Sequence, residues 1–466
     1  MKQRSKKLLA ILLVGAMSIS VLAGCSPTEQ TEPTATTAET AAEEAAETAA
    51  EGAADNSTAD DSAAVDASLV NTELEGEITQ WVWGDYEIRG ASEFNQYYPN
   101  IKVNYVSIPN DEYEQKVLTA LSVGTDLPDV VNVESAARGQ FLNMDVWERL
   151  DAEPYNVNVD EMLPIAKSLT SNKDGEILCL QVDNCVAGYA YDRNLANKYF
   201  GTDDPAEMEA IFSDLDVFIE KSAAVAEGGD YMFASVDDAY SAVNGLYQKE
   251  PVVVDGKLNT EASVLPTYEF IEALVANNAT GPYVEWTPAW YTSFATDNIM
   301  FYRAPAWFIS FQMKPNDPDS DGKWGMITPP GGGFNAGGTA YAIPKAIDDK
   351  QKELAWTYIN WLTMSQEGAE SFWKAHATQT LYAPAYESDL YNGEPDPFFG
   401  GQNVTEKLNE ISENPNTTAS VMTEYDLTIR TANAQALRDL EAGMSAADAY
   451  AKFEQAVLEV LPELAP

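Results

Sequence analysis

The chain has 466 residues with 27 basic and 74 acidic side chains, a formal net charge of −47, one histidine and three cysteines. A surface this negative repels nucleic acid and anionic lipid, which excludes both as binding surfaces. The single histidine, His376, argues against His-centred metal sites and against Ser-His or Cys-His catalysis.

Lys2, Arg4, Lys6 and Lys7 precede an apolar run over 8–22, the layout of a secretory signal. The run is shorter than the about 20 residues that a bilayer-crossing helix needs. It leads into Leu22-Ala23-Gly24-Cys25, which resembles the lipobox of bacterial lipoproteins. The resemblance implies a signal over 1–24, cleavage after Gly24 and a diacylglyceryl group on Cys25. With a second acyl chain, this holds the protein lastingly at the outer face of the cell membrane. Residues 26–72 carry eleven acidic side chains and neither basic nor aromatic ones. Such a stretch buries no core, so 25–73 reads as an extended, solvated tether.

About 390 residues follow from Leu74, enough for two domains with full cores. Periodicity predicts a strand over 78–83, a helix over 91–98 and an alternating strand over 101–108. A helix follows, capped by Asn110 or Asp111, with Tyr113, Val117, Ala120 and Leu121 on one face and Gly124 as its terminator. Pro128-Asp129-Val130-Val131-Asn132-Val133 then reads as a buried strand. Strand, helix, strand, helix, strand is the pattern of an open parallel sheet. It recurs late, with a strand over 338–344 and an amphipathic helix over 349–364. Before that strand, Pro329-Pro330-Gly331-Gly332-Gly333 is a loop able to change direction, as a domain crossing requires. The last helix opens at Ser445, with Asp448 three residues on, and puts Tyr450, Phe453, Val457 and Leu461 on one face.

Three stretches together resemble the family 1 extracellular solute-binding proteins of ABC importers, similar in plan to maltose-binding protein. They are Trp81-Val82-Trp83-Gly84-Asp85 with Leu127-Pro128-Asp129-Val130-Val131; Asn298 through Trp307; and Trp324 through Gly332 running into Gly338-Thr339-Ala340-Tyr341-Ala342-Ile343-Pro344 and Ala355-Trp356. The resemblance implies an α/β, two-lobed fold like that of periplasmic binding proteins, each lobe a mostly parallel sheet flanked by helices. About three crossings would join the lobes, near 181–187, 327–333 and 378–383. The N-terminal lobe would combine 74–181 with 333–379, and the C-terminal lobe 182–332 with 380–466. A sugar or similar solute is then trapped between the lobes and delivered to ABC transporter permease subunits by a monomer, with no catalytic set, cofactor or resident metal.

A sugar site needs rings to stack on and Asp, Asn or Glu to receive paired hydroxyls, at the C-terminal ends of strands. Trp83, Asp85 and Tyr86 follow the first predicted strand, and Glu134 and Ser135 follow Val133. The resemblance adds Asp183 and Asn184 in the first crossing, Asp238, Tyr240, Trp307 and Tyr425. Arg303 stands where relatives carry a small polar residue; it either pairs a carboxylate on the solute or forms an internal salt bridge. Cys179 and Cys185 can close a short disulfide or remain buried thiols. Asp317-Pro318-Asp319-Ser320-Asp321-Gly322 opens like a calcium loop, but its twelfth position is Thr328 rather than glutamate, which reads as an acidic surface turn. The rival reading is a secreted glycosidase or lyase, whose paired carboxylates cannot be picked out among 74 acidic residues.

Overall fold

The computed structural model describes residues 65–465 apart from 418 and 420, so the signal, Cys25 and most of the tether lie outside the described residues. The packed chain begins before residue 74. Asn71 donates its backbone N–H to the Tyr97 carbonyl at 2.8 Å, and Asn100 Nδ2 donates to the Thr72 carbonyl at 2.8 Å.

The strands are β1 (Gly76–Val82), β2 (Ile101–Ser107), β3 (Val130–Glu134), β4 (Leu180–Gln181), β5 (Val186–Asp192), a hairpin of β6 (Val253–Val254) and β7 (Lys257–Leu258), then β8 (Phe301–Ala304), β9 (Trp324–Ile327), β10 (Phe334–Asn335) and β11 (Thr339–Ala342). One sheet has the order β2-β1-β3-β11-β4. Its first three strands are parallel, as the sequence pattern predicts, and β11 joins β3 and β4 antiparallel. The second sheet is built around β5, which pairs antiparallel with β8, β9 and β10. The expectation of a mostly parallel sheet in both lobes is therefore corrected for the second. Its parallel contacts are the isolated bridges Tyr231↔Ile299 and Phe233↔Thr280.

Local chemistry explains most elements. The helix Asn110–Val123 starts behind Pro109, with no side-chain cap from Asn110 or Asp111, and ends on Gly124 at φ 74°. The helix Asp349–Met364 is capped by Asp348, and Ser445 caps Ala446–Val460 by accepting the Asp448 N–H at 3.2 Å while its hydroxyl donates to the Asp448 carboxylate at 2.7 Å. The predicted helix over 91–98 is instead two short turns, Tyr86–Gly90 and Phe94–Tyr97. A Cβ on Gly90 would lie 2.6 Å from Phe372, so the close approach of the helix Gln366–His376 fixes that backbone. In the second lobe Phe212, Phe218 and Phe301 pack with ring centroids 4.6–5.0 Å apart, a core in which one Phe→Ala change costs about 3–5 kcal/mol.

The chain passes from the first sheet to the second through Val182–Cys185. Alongside runs the segment 379–381, where Asn184 N–H donates to the Gln379 carbonyl at 2.7 Å and Leu381 N–H to the Val182 carbonyl at 3.1 Å. The glycine loop at 331–333 is not a passage between the sheets, because β10 after it still pairs with β5. The return lies at 336–338, where Gly337 and Gly338 have φ of 103° and 113°. A Cβ on Gly338 would sit 2.5 Å from the Gln181 amide. Cys179 and Cys185 are both buried free thiols. Asp317 is no surface residue: it is buried, accepts from Trp324 Nε1 at 3.2 Å and pairs with Lys323 at 3.2 Å. Among the described residues no group of three or more His, Cys, Asp or Glu side chains is placed to hold a metal ion.

Candidate functional site

A cleft of about 610 Å³ opens at the C-terminal ends of β1 and β3, where open α/β sheets bind ligands. The loop after β1 contributes Trp83, Asp85 and Tyr86. The first turn of the 110–123 helix adds Asn110, Tyr113 and Glu114, and the end of β3 adds Asn132 and Glu134. Asp183 and the 337–339 backbone form the floor where two passages meet, and Trp286, Trp307, Phe311 and Gln312 face them.

The oxygen-bearing groups are held in place. Asp183 is 3% exposed; its Oδ1 accepts the Thr339 N–H at 3.0 Å and its Oδ2 accepts the Tyr86 hydroxyl at 3.2 Å. Burial pushes its carboxyl above the usual range, and the bond from Thr339 works against that shift. Glu134 accepts from Ser135 Oγ at 2.8 Å and from the Ala136 N–H at 2.5 Å. Four carboxylates line the cleft, Asp85, Glu114, Glu134 and Asp183, and no lysine or arginine is among the lining residues. Burial raises the Glu114 carboxyl, opposed by the charge of Arg430 and reinforced by that of Glu134. Beneath this wall Glu87 is wholly buried and its carboxyl is pushed up to about 7, by burial first and then by Asp183 and Asp85. His376, whose Nε2 lies 2.9 Å from the Tyr86 carbonyl, is pushed down to about 4 by burial.

The facing wall is aromatic and rests on irregular backbone. Trp307 Nε1 donates to the Ala336 carbonyl at 2.8 Å, beside the return passage. Phe311 and Gln312 belong to a π-helical turn, Ile309–Met313, a feature common at functional sites. Phe311 meets Tyr86 edge-on at 5.4 Å. Trp286 is 50% exposed and has φ 66°, a left-handed conformation costing about 1–3 kcal/mol in a bulky residue. Its ring is nearly parallel to Trp307, at 9° and 6.4 Å between centroids.

Of the residues singled out from the sequence, Trp83, Asp85, Tyr86, Glu134, Asp183 and Trp307 come together here. Ser135 stands behind Glu134 as a donor. Asn184 is turned into the first passage, donating to Tyr386 and Ser412 at 2.9 and 2.7 Å. Asp238 is buried behind the aromatic wall, where it accepts from Trp290 Nε1 at 2.9 Å. Arg303 and Tyr240 line a separate cavity of about 310 Å³, and Tyr425 borders another formed with residues 167–175 and 250–256. Arg303 is therefore not among the residues that line the cleft; it faces Glu285 at 3.6 Å. The sequence reading missed Trp286, Phe311 and Gln312. A tryptophan in Val284-Glu285-Trp286-Thr287-Pro288, a turn opening a Pro-started helix, was the available signal.

The family model for bacterial extracellular solute-binding proteins matches residues 91–395. An arabinooligosaccharide-binding protein of Halalkalibacterium halodurans is 21% identical over 396 residues, 78% of this chain and 87% of that protein. A solved extracellular solute-binding protein of family 1 superposes with a TM-score of 0.74 at 20% identity, over 83% of this chain and 99% of its own. The ABC transporter associated binding protein of B. animalis subsp. lactis, solved with beta-1,6-galactobiose, gives 0.66 at 18% identity, over 84% and 98%. These likenesses establish a fold of two α/β lobes.

Proposed function

The chain belongs to the bacterial extracellular solute-binding proteins, and we propose that it captures an uncharged sugar or oligosaccharide in the cleft between its lobes and delivers it to ABC transporter permease subunits. The observation that carries this reading is the pairing of two walls across one cleft: near-parallel Trp286 and Trp307 on one side, fixed Glu134 and Asp183 on the other. A pyranose presents C–H faces to rings and paired hydroxyls to carboxylates, so each wall suits one aspect of the same molecule. Trp83, Asp85 and Tyr86 complete the set of contacts. The carboxylate-only charge of the lining disfavours an acidic sugar, and of the two alternatives for Arg303 its contact with Glu285 favours the internal salt bridge. The saccharides in the names of the arabinooligosaccharide-binding and galactobiose-bound relatives support the class.

In this reading one lobe is built on the β1–β4 and β11 sheet and the other on the β5 sheet. A monomer, anchored through lipid on Cys25, closes on its solute by hinge rotation. Affinity falls in the micromolar range or tighter, roughly −8 kcal/mol. Isothermal titration with neutral oligosaccharides, their uronate counterparts and spermidine tests it. Saturable binding of a neutral saccharide, weaker for the uronate, supports the proposal. Binding of spermidine and of no saccharide overturns it, since rings and carboxylates also suit a cation.

A further inference from the structure

Trp286 holds a costly conformation, and the residue before it explains how. Residues 284–287 form a tight turn: the Thr287 N–H and Oγ1 both donate to the Val284 carbonyl, at 3.3 and 2.7 Å. The third position of a turn with φ near +66° normally holds glycine or asparagine, which adopt that conformation at little cost. Here it holds a half-exposed tryptophan. Glu285, the second position, points the other way. Its side chain is 13% exposed and lies 3.6 Å from Arg303, itself 11% exposed and paired within the sheet through Tyr189. Asp238, in the first turn of the helix Val236–Tyr247, sits beside Glu285 and accepts from Trp290 Nε1. Burial, and then the Glu285 charge, hold the Asp238 carboxyl well above the usual range, and the charge of Arg303 works against that shift.

We propose that Glu285 is a positioning residue, which through its buried contacts with Arg303 and Asp238 latches the turn and so fixes the Trp286 ring as a contact surface in the solute cleft. The three anchoring groups come from a turn, a strand and a helix, so the ring's place is set by the lobe as a whole. The inference rests on the reading of the cleft as the solute site, but the latch itself is measurable without solute. Trp286 and Trp290 are skewed by 45° at 5.2 Å, a geometry that gives an exciton couplet in far-ultraviolet circular dichroism; the Trp286→Phe difference spectrum identifies it.

The test is a mutant cycle read by that couplet and by titration with the saccharide that binds the wild type. Glu285→Ala is expected to lose the couplet and to weaken binding at least tenfold. Glu285→Gln keeps the length of the side chain, an oxygen facing Arg303 and a polar group beside Asp238, and is expected to retain both signals. Glu285→Ala in a Trp286→Ala background is expected to weaken binding no further, because its effect runs through the ring. A couplet that survives in Glu285→Ala, or losses that multiply in the double variant, overturn the proposal. If Glu285→Ala does not fold, Glu285→Leu combined with Arg303→Met removes both charges together, a replacement cores tolerate, and the same two readouts apply. A wild type that shows the couplet and binds no saccharide refutes the sugar reading and leaves the latch standing.

Discussion

The two walls of the cleft are made by different means. The carboxylate wall takes Glu134 from the end of strand β3 and Glu114 from a helix, with Asp85 in the loop after β1 and Asp183 in the first passage, and its groups are held by hydrogen bonds such as Thr339 to Asp183. The aromatic wall stands on a left-handed tryptophan and a π-helical turn, irregular backbone held by the core behind it. The first sheet and the loops at its edge place the oxygens; a left-handed turn places Trp286, a π-helical turn places Phe311 and the short helical turn Ala306–Phe308 places Trp307. Orientation by a few hydrogen bonds sets which solute fits, and ring area sets most of the affinity.

The sharpest way to break this division is Trp307→Ala, which removes the ring bonded to the return passage. Affinity should fall by about 3 kcal/mol, over a hundredfold in Kd by titration calorimetry, with thermal unfolding little changed. A loss under threefold would mean that the Trp307 ring does not contact the solute.

Almost as large an effect is expected beneath the carboxylate wall, where Glu87 and His376 oppose each other. The raised Glu87 keeps its proton in the folded state between its unfolded value near 4.5 and about 7, so its contribution falls by about 3 kcal/mol as pH rises through that window. The depressed His376 stays neutral when folded, so its contribution is lost as pH falls from 6.5 to about 4. In the wild type the two slopes offset each other. Glu87→Gln should expose the histidine, giving a melting temperature that rises with pH over 4–6.5, and a pH scan of that variant checks it.

Next comes Gly338→Ala, at φ 113° and 2.5 Å from the Gln181 amide. It should cost about 2 kcal/mol of stability in urea unfolding. A neutral result would mean that the floor yields more readily than its contacts suggest. The smallest effect should be Asp183→Asn. It keeps an acceptor for the Thr339 N–H but removes the charge, weakening solute binding by about 1 kcal/mol with little loss of stability.

The same division explains what could be read from the sequence. The strand over 78–83 and the apolar run at Val130–Val133 were visible, and the strand ends they mark led to Trp83, Asp85, Tyr86 and Glu134. The Ser445 cap with Asp448 three residues on was legible for the same reason, since its signal spans one turn. The antiparallel arrangement around β5 was not, because its partners β8, β9 and β10 lie far along the chain and one apolar strand pattern suits either direction. Glycines 331–333 drew attention that belonged to 336–338, as composition marks freedom of the backbone and not where it is used. Asp238 was singled out by its match to relatives and Arg303 by its departure from them, and neither lines the cleft: Asp238 accepts from Trp290 and Arg303 faces Glu285, partners that no local pattern connects to them.

The hydrogen-bonded pairing of Val182–Cys185 with 379–381 makes a two-ply ribbon between the sheets. A ribbon flexes out of its plane with small dihedral changes, whereas flexing within its plane stretches bonds of 2.7 and 3.1 Å. In the proposed closure this ribbon reduces the relative travel of the lobes toward a single degree of freedom, like a door on a strip hinge. A solute of the right length meets both walls at the end of one defined swing, and a longer one stops that swing short.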